Sequence, residues 1–323
     1  MSDLDEKISS CSAGVHIGDE KIHTLLYADD LVLLAHNPKD MQLQIDLLNE
    51  FVDSVKMTVN LGKTKIMVLR KNKRKSRGRA ENKIIWKLGN KEIEECETYK
   101  YLGVTFKSNG SFSEHADKIK EKAQKSHFSL LAKSREWGGF QPRLFLYLFD
   151  HTIMPILNYA SEIWGTNEWP KLERLHLSAC KYALGVKSST TTDAVYAELG
   201  RYSVLSARHI NILKFFLRLS NLEEERYANK AFNMLVTDAN AGYSNWVSTA
   251  QSLASIYNIN NSDNISAIKH KVHQHFQSTI IDNLKVHISQ DKKLKTFALF
   301  KTTFKFELYL DIFSNFTIRS NFA

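Results

Sequence analysis

The sequence predicts an α+β fold, and three observations carry that expectation. Up to about residue 112, short apolar runs alternate with tight-turn signals, as they do in hairpins. From Ser113 onward, apolar residues recur every three or four positions between caps and prolines, the helical period. The two patterns are segregated along the chain rather than interleaved, which favours α+β over a doubly wound sheet.

Taken in order, Val15, Ile17 and Ile22 flank Gly18-Asp19, a hairpin signal. A second tight hairpin follows, because Leu25-Leu26-Tyr27 and Leu31-Val32-Leu33-Leu34 are separated only by Ala28-Asp29-Asp30. Its tip carries both carboxylates, and Leu25 and Leu33 are expected on its buried faces. Asn37 then suits a helix N-cap, Pro38 the first helical position and Asp40 the positive end of the helix dipole. Met41, Ile45, Leu48, Val52 and Val55 give that helix one apolar face. Strands are expected at Ile66 to Leu69, at Ile84-Ile85-Trp86 and at Tyr99 to Phe106, with turns at Gly89-Asn90 and Asn109-Gly110.

Ser113 begins a helix with Ile119, Ala123 and Leu130 on one side. Further helical segments are expected over 142–164, 169–184, 203–220 and 223–236, punctuated by Pro142, Pro155, Gly165 and Pro170. Beyond about residue 240 the chain is rich in Asn, Ser, Lys and His and its periodicity weakens. Gly242 to Asn264 reads as a loosely structured connector and Thr296 to Phe313 as an aromatic-rich helix. The organisation expected is therefore 1–112, 113–240 and 241–323.

Composition bounds the function. The hydrophobic share is 43% and the charged share 24%, enough to bury a core without disulfides. Cys11, Cys96 and Cys180 match no zinc spacing, and an odd count without a signal peptide fits a reducing compartment, nuclear or cytoplasmic. The longest apolar stretch, Leu144 to Ala160, is broken by Asp150, His151 and Pro155, so no membrane segment is expected. Net charge is +9, which suits a polyanionic partner such as nucleic acid. Twelve basic residues and one acid lie between Lys63 and Lys91. The loop over 70–81 concentrates them in Arg70, Lys71, Lys73, Arg74, Lys75, Arg77 and Arg79. Such a run binds phosphates without reading sequence; a solvated loop or a nuclear-import signal uses the same composition.

Two adjacent carboxylates on a turn repel each other, a cost that divalent metal removes. Mg²⁺ takes one or two carboxylates plus phosphate oxygens and water. The string Leu25-Leu26-Tyr27-Ala28-Asp29-Asp30-Leu31-Val32-Leu33 resembles motif C of reverse transcriptases, in the form found in non-LTR (LINE-type) retrotransposons. Asn60-Leu61-Gly62-Lys63-Thr64-Lys65 is similar to motif D, and Tyr99-Lys100-Tyr101-Leu102-Gly103-Val104 to motif E, the primer-grip hairpin. The three occur in the family's order over about residues 1–110, and a weaker likeness runs into a thumb-like helical region.

The resemblance implies RNA-directed DNA polymerisation, a nucleotidyl transfer, with a two-ion Mg²⁺ site, deoxynucleotides, an RNA template and a DNA primer. By motif, Asp29 would be the ligand shared by both ions, with Asp30 in a weaker supporting role. Lys63 would be the general acid toward pyrophosphate, with Lys65 as the alternative. Tyr101, Leu102 and Gly103 would hold the primer terminus. The family's other metal-binding aspartate and its fingers precede motif C by many tens of residues, so they are expected outside this chain, which would supply half of the ion site. Asp3 and Asp5 stand in the wrong context to replace that aspartate. The competing expectation is a non-catalytic, nucleic-acid-binding retroelement relic.

Other candidates read as structural. His270, His273 and His275 have no cysteine or acid arranged with them as metal ligands. Phe145, Tyr147, Phe149, Trp164 and Trp169 suit packing between helices better than base stacking. No Ser/His/Asp elbow, phosphate-binding Gly-rich loop or dinucleotide fingerprint is present.

Overall fold

The computed structural model describes residues 2–69, 84–290, 297, 301 and 303–312. The fold is α+β, with small sheets near the N-terminus followed by a mainly helical region. The chain divides into two compact units. One comprises Met1–His115 with Leu222–Thr237, the other Ala116–Asn221 with Asp238–Ala323.

In the first unit, α1 (Ser2–Ser9) places Leu4 and Ile8 against Ile45 and Leu48 of α2 (Pro38–Ser54). The sequence reading missed α1. Asn37 caps α2 as expected, its side chain accepting from the Asp40 amide at 3.0 Å. Two antiparallel hairpins lie between the helices, β1 (Val15–Ile17) with β2 (Glu20–Ile22) and β3 (Thr24–Tyr27) with β4 (Asp30–Leu33). A three-stranded sheet is ordered β5 (Lys65–Ile66), β7 (Lys91–Glu95), β6 (Trp86–Leu88), with β5 parallel to β7. Trp86, Leu88 and Ile93 close the same core as α1 and α2. Gln42 ties α2 to β6, donating to the Lys87 carbonyl at 2.7 Å and accepting from its amide at 3.1 Å. The strands are shifted from expectation. β5 stops at Ile66, and β6 begins at Trp86, leaving Ile84 and Ile85 exposed.

The hairpin of β8 (Thr98–Tyr101) and β9 (Val104–Lys107) turns on Leu102 and Gly103, at φ 45° and 84°. Two positive φ values match the twist of a two-residue hairpin, and Gly103 supplies one of them at little steric cost. The buried His115 Nδ1 accepts from the Thr105 amide at 3.1 Å, fixing β9 to the first turn of α3 (Ser113–Glu136).

The second unit holds the rest of α3, then α4 (Pro142–Thr152), α5 (Met154–Leu157), α6 (Ser161–Trp164), α7 (Pro170–Leu184), α8 (Thr192–Leu199) and α9 (Val204–Ser220). The helical segment expected over 142–164 is three helices. Pro155 removes an amide donor, and Ala160 takes the left-handed conformation at φ 50°. After α10 (Tyr227–Asn240) come α11 (Trp246–Ile256), α12 (Ile265–Gln290) and the short α13 (Tyr309–Ile312). The expectation of a loosely structured connector over Gly242 to Asn264 is overturned by α11. Asn245 and Ser248 form a reciprocal capping box at its start, and Val247, Ala250 and Leu253 join the core of α9 and α12. Of the helix expected over Thr296 to Phe313, the described residues show a helical Phe297 and α13, the latter preceded by a bridge between Phe306 and Leu199.

Candidate active site

Pairing within β3–β4 runs Thr24 to Leu33, Leu25 to Val32, Leu26 to Leu31 and Tyr27 to Asp30. Paired residues share a face and neighbouring pairs alternate. Leu31 and Leu33 therefore turn toward the core of α1 and α2, which they flank. Leu25 falls on the opposite face with Tyr27, Val32 and Asp30. That register corrects the expectation that Leu25 and Leu33 are both buried, since Leu25 is 43% exposed. Ala28 and Asp29 form the turn, Ala28 at φ 54°, and Asp30 opens β4. Both carboxylates are exposed.

Tyr101, at the end of β8, lies within electrostatic reach of Asp30. Burial pushes the half-buried Tyr101 phenol up, and the negative charge of Asp30 adds to the shift. Tyr101 adjoins Leu102-Gly103, the other candidate primer-holding residues. The loop carrying Lys63 is tied to the same hairpin. Amides of Lys63 and Thr64 bond to the Asn60 carbonyl at 3.1 and 2.9 Å, and Tyr99 Oη donates to the Lys63 carbonyl at 3.0 Å. The Lys63 side chain is exposed. Lys65 instead engages Glu94 at 2.6 Å, which leaves Lys63 the freer ammonium. Asp5 accepts a hydrogen bond from Thr24, three residues back along β3 from Tyr27 and so on the order of 10 Å from the turn. The seven basic candidates from Arg70 to Arg79 lie outside the described residues.

Two exposed carboxylates at a turn fit one side of a divalent-ion site. Among the described residues no group of three or more His, Cys, Asp and Glu is placed to hold a metal ion. Nor is any described helix long and apolar enough to cross a membrane.

A second polar cluster, missed in the sequence, is buried inside the helical unit. His176 is 1% exposed, with Nδ1 3.6 Å from Glu173 Oε1 and Nε2 3.5 Å from Cys180 Sγ. Tyr196 donates to Glu173, Glu173 accepts from the Val204 amide at 2.9 Å, and Arg201 grips Asp150. This arrangement resembles a thiol–imidazole–carboxylate relay, but with Cys180 at 0% exposure no substrate reaches it. Its role is to join α4, α7, α8 and the start of α9. The helical spacing of Glu173, His176 and Cys180 was a legible signal for a shared face.

Residues 1–106 match the reverse transcriptase (RNA-dependent DNA polymerase) family. That span contains the acidic hairpin, the Lys63 loop and the Tyr101–Gly103 turn, so this part of the chain is reverse-transcriptase-like. A transposon-derived protein of Caenorhabditis elegans is 21% identical over 156 residues, 48% of this chain and 53% of the relative. The chain thus spans about half the length of that curated relative.

Proposed function

We propose that the chain supplies part of an RNA-directed DNA polymerase of the non-LTR retrotransposon type. The observation that carries this reading is the acidic turn at Asp29 and Asp30 with Tyr101 within electrostatic reach of Asp30, inside the matched span. Asp29 and Asp30 would hold one side of a Mg²⁺ pair, the facing carboxylate coming from outside the described residues. When bound, such ions polarise the primer 3′-hydroxyl and neutralise charge on the triphosphate. Tyr101 to Gly103 would seat the primer terminus, with the backbone at Gly103 allowing close approach. Lys63 would deliver a proton to the departing pyrophosphate as a general acid. The basic run over 70–81 would track template or primer phosphates, residues 1–112 would be a palm segment, and residues 113–240 would act as a thumb.

The test is primer extension on an RNA template with Mg²⁺, using this chain alone, with an upstream palm segment in trans, and with Asp29→Ala. Extension that requires both the added segment and Asp29 is the expected result. Extension that survives Asp29→Ala removes Asp29 from the site. The competing reading is a non-catalytic nucleic-acid-binding relic. Retained RNA binding with no extension under any condition would select it.

A further inference from the structure

The helical unit contains a cleft of about 470 Å³ between α12 and the loop that precedes α9. Its volume falls in the range of sites for small planar ligands, roughly 300–1,000 Å³. One wall is a stripe along α12 formed by His270, His273, Gln274 and Gln277. Their i, i+3, i+4, i+7 spacing puts all four on one face over about 10 Å of helix. Tyr202 closes the stripe on one side, its ring stacking directly on His273 with centroids 4.2 Å apart and planes at 15°. Phe304 stacks on Tyr202 as well, at 5.1 Å and 28°, so the aromatic wall is held in place.

The chemistry of the stripe narrows the ligand. Gln274 and Gln277 hydrogen-bond to no other described residue, so their amides offer paired donors and acceptors to the cleft. Adjacent donors and acceptors match the edge of a nucleobase, as glutamine matches adenine. Burial, and then the positive charges of Lys269 and His270, push the His273 imidazole down. Its ring lines the cleft with the Lys269 ammonium near it, a setting suited to a flat group attached to an anion. Unpaired bases present both a free edge and a stacking face; bases in a duplex present neither in full. Metal is a poor fit, since no three-ligand group occurs among the described residues.

We propose that this cleft binds an unpaired nucleobase of single-stranded RNA or DNA, with Gln274 and Gln277 reading its edge against the Tyr202–His273 wall. This site belongs to the helical unit, whereas the acidic hairpin belongs to the other, and binding there does not depend on polymerase activity. The experiment measures anisotropy of labelled single-stranded and duplex oligonucleotides with the full chain and with the double variant Gln274→Leu, Gln277→Leu. Gln274 is exposed and Gln277 half-buried, so the fold should survive both changes. Single-strand affinity should fall about tenfold, on the scale of one lost base-edge contact. Duplex affinity and the salt dependence should not move, because no charge is removed. Unchanged single-strand affinity overturns the proposal, as does an equal loss on duplex, which would assign the contact to the backbone. A photo-crosslink from a thio-substituted strand should map to residues 270–278, and mapping elsewhere also overturns it. Binding of a free nucleoside monophosphate without binding of the strand would reject the single-strand assignment.

Discussion

At the scale of single residues, the clearest electrostatic cost lies in the helical unit. His127 is 2% exposed, caged by the rings of Phe128, Phe145 and Phe149, and neither ring nitrogen has a partner. Burial lowers it to about 4. His209 is lowered to about 4 as well, by burial first and then by Arg208 and His275. An unfolded histidine titrates near 6.5. Above that pH both states are neutral and the full stability is present. As pH falls from about 6.5 toward 4, the unfolded state takes up protons that the folded state refuses, and stability drains away. Each group accounts for up to about 3 kcal/mol across that window. His127→Phe should therefore shrink the difference in unfolding free energy between neutral and acidic buffer by about 2–3 kcal/mol, with the His209 share remaining. Urea titrations at the two pH values measure it, and an unchanged difference would mean that His127 is protonated within the fold.

At the scale of elements, side-chain caps set the starts of α2 and α11, and α11 shows what such a cap contributes. Asn245 accepts from the Ser248 amide at 2.9 Å, and Ser248 Oγ accepts from the Asn245 amide at 3.0 Å. Removing such a cap costs about 1 kcal/mol, or roughly 2–4 °C in melting temperature for a unit of this size. Asn245→Ala should show that loss by calorimetry, while Asn245→Asp, which keeps the acceptor, should not; equal losses would point to packing rather than capping. The hairpin β3–β4 teaches the complementary lesson. Its existence was legible in the spacing of the apolar runs around Ala28-Asp29-Asp30. The face taken by Leu25 was not, because a run of three apolar residues does not set parity, and pairing one position either way exchanges the two faces.

At the scale of the whole molecule, charge dominates. The chain carries 44 Lys and Arg against 35 Asp and Glu, and the surplus is concentrated between Lys63 and Lys91. If the run from Arg70 to Arg79 tracks phosphates, neutralising Arg74, Lys75, Arg77 and Arg79 together releases four fewer counterions. The slope of log affinity against log salt on duplex DNA should then fall by roughly 3–4. A filter-binding series in salt reads this directly, and an unaltered slope would leave the run as a solvated loop or an import signal. The measurement separates the charged run from the cleft on α12, whose glutamines should alter single-strand affinity without altering the slope.

By itself, the sequence determined the α+β class, the acidic turn and the Asn37 cap of α2. These depend on interactions within a few residues, where side-chain type and spacing suffice. The strand expected over Tyr99 to Phe106 is instead a hairpin turning on Leu102-Gly103. The sequence did not reveal α1, nor α11 and α12, where Asn and Ser mask the apolar face. Tertiary structure alone decided that the charge of Asp30 reaches Tyr101, that Lys65 is spent on Glu94, and that Leu25 turns outward. It also decided that Tyr202 stacks on His273 to wall a cleft, and that Glu173 and His176 meet Tyr196 in the interior. Each of these joins residues well separated in the chain. Such contacts are fixed by which faces find room to pack and which charges find partners, and neither composition nor periodicity records that choice.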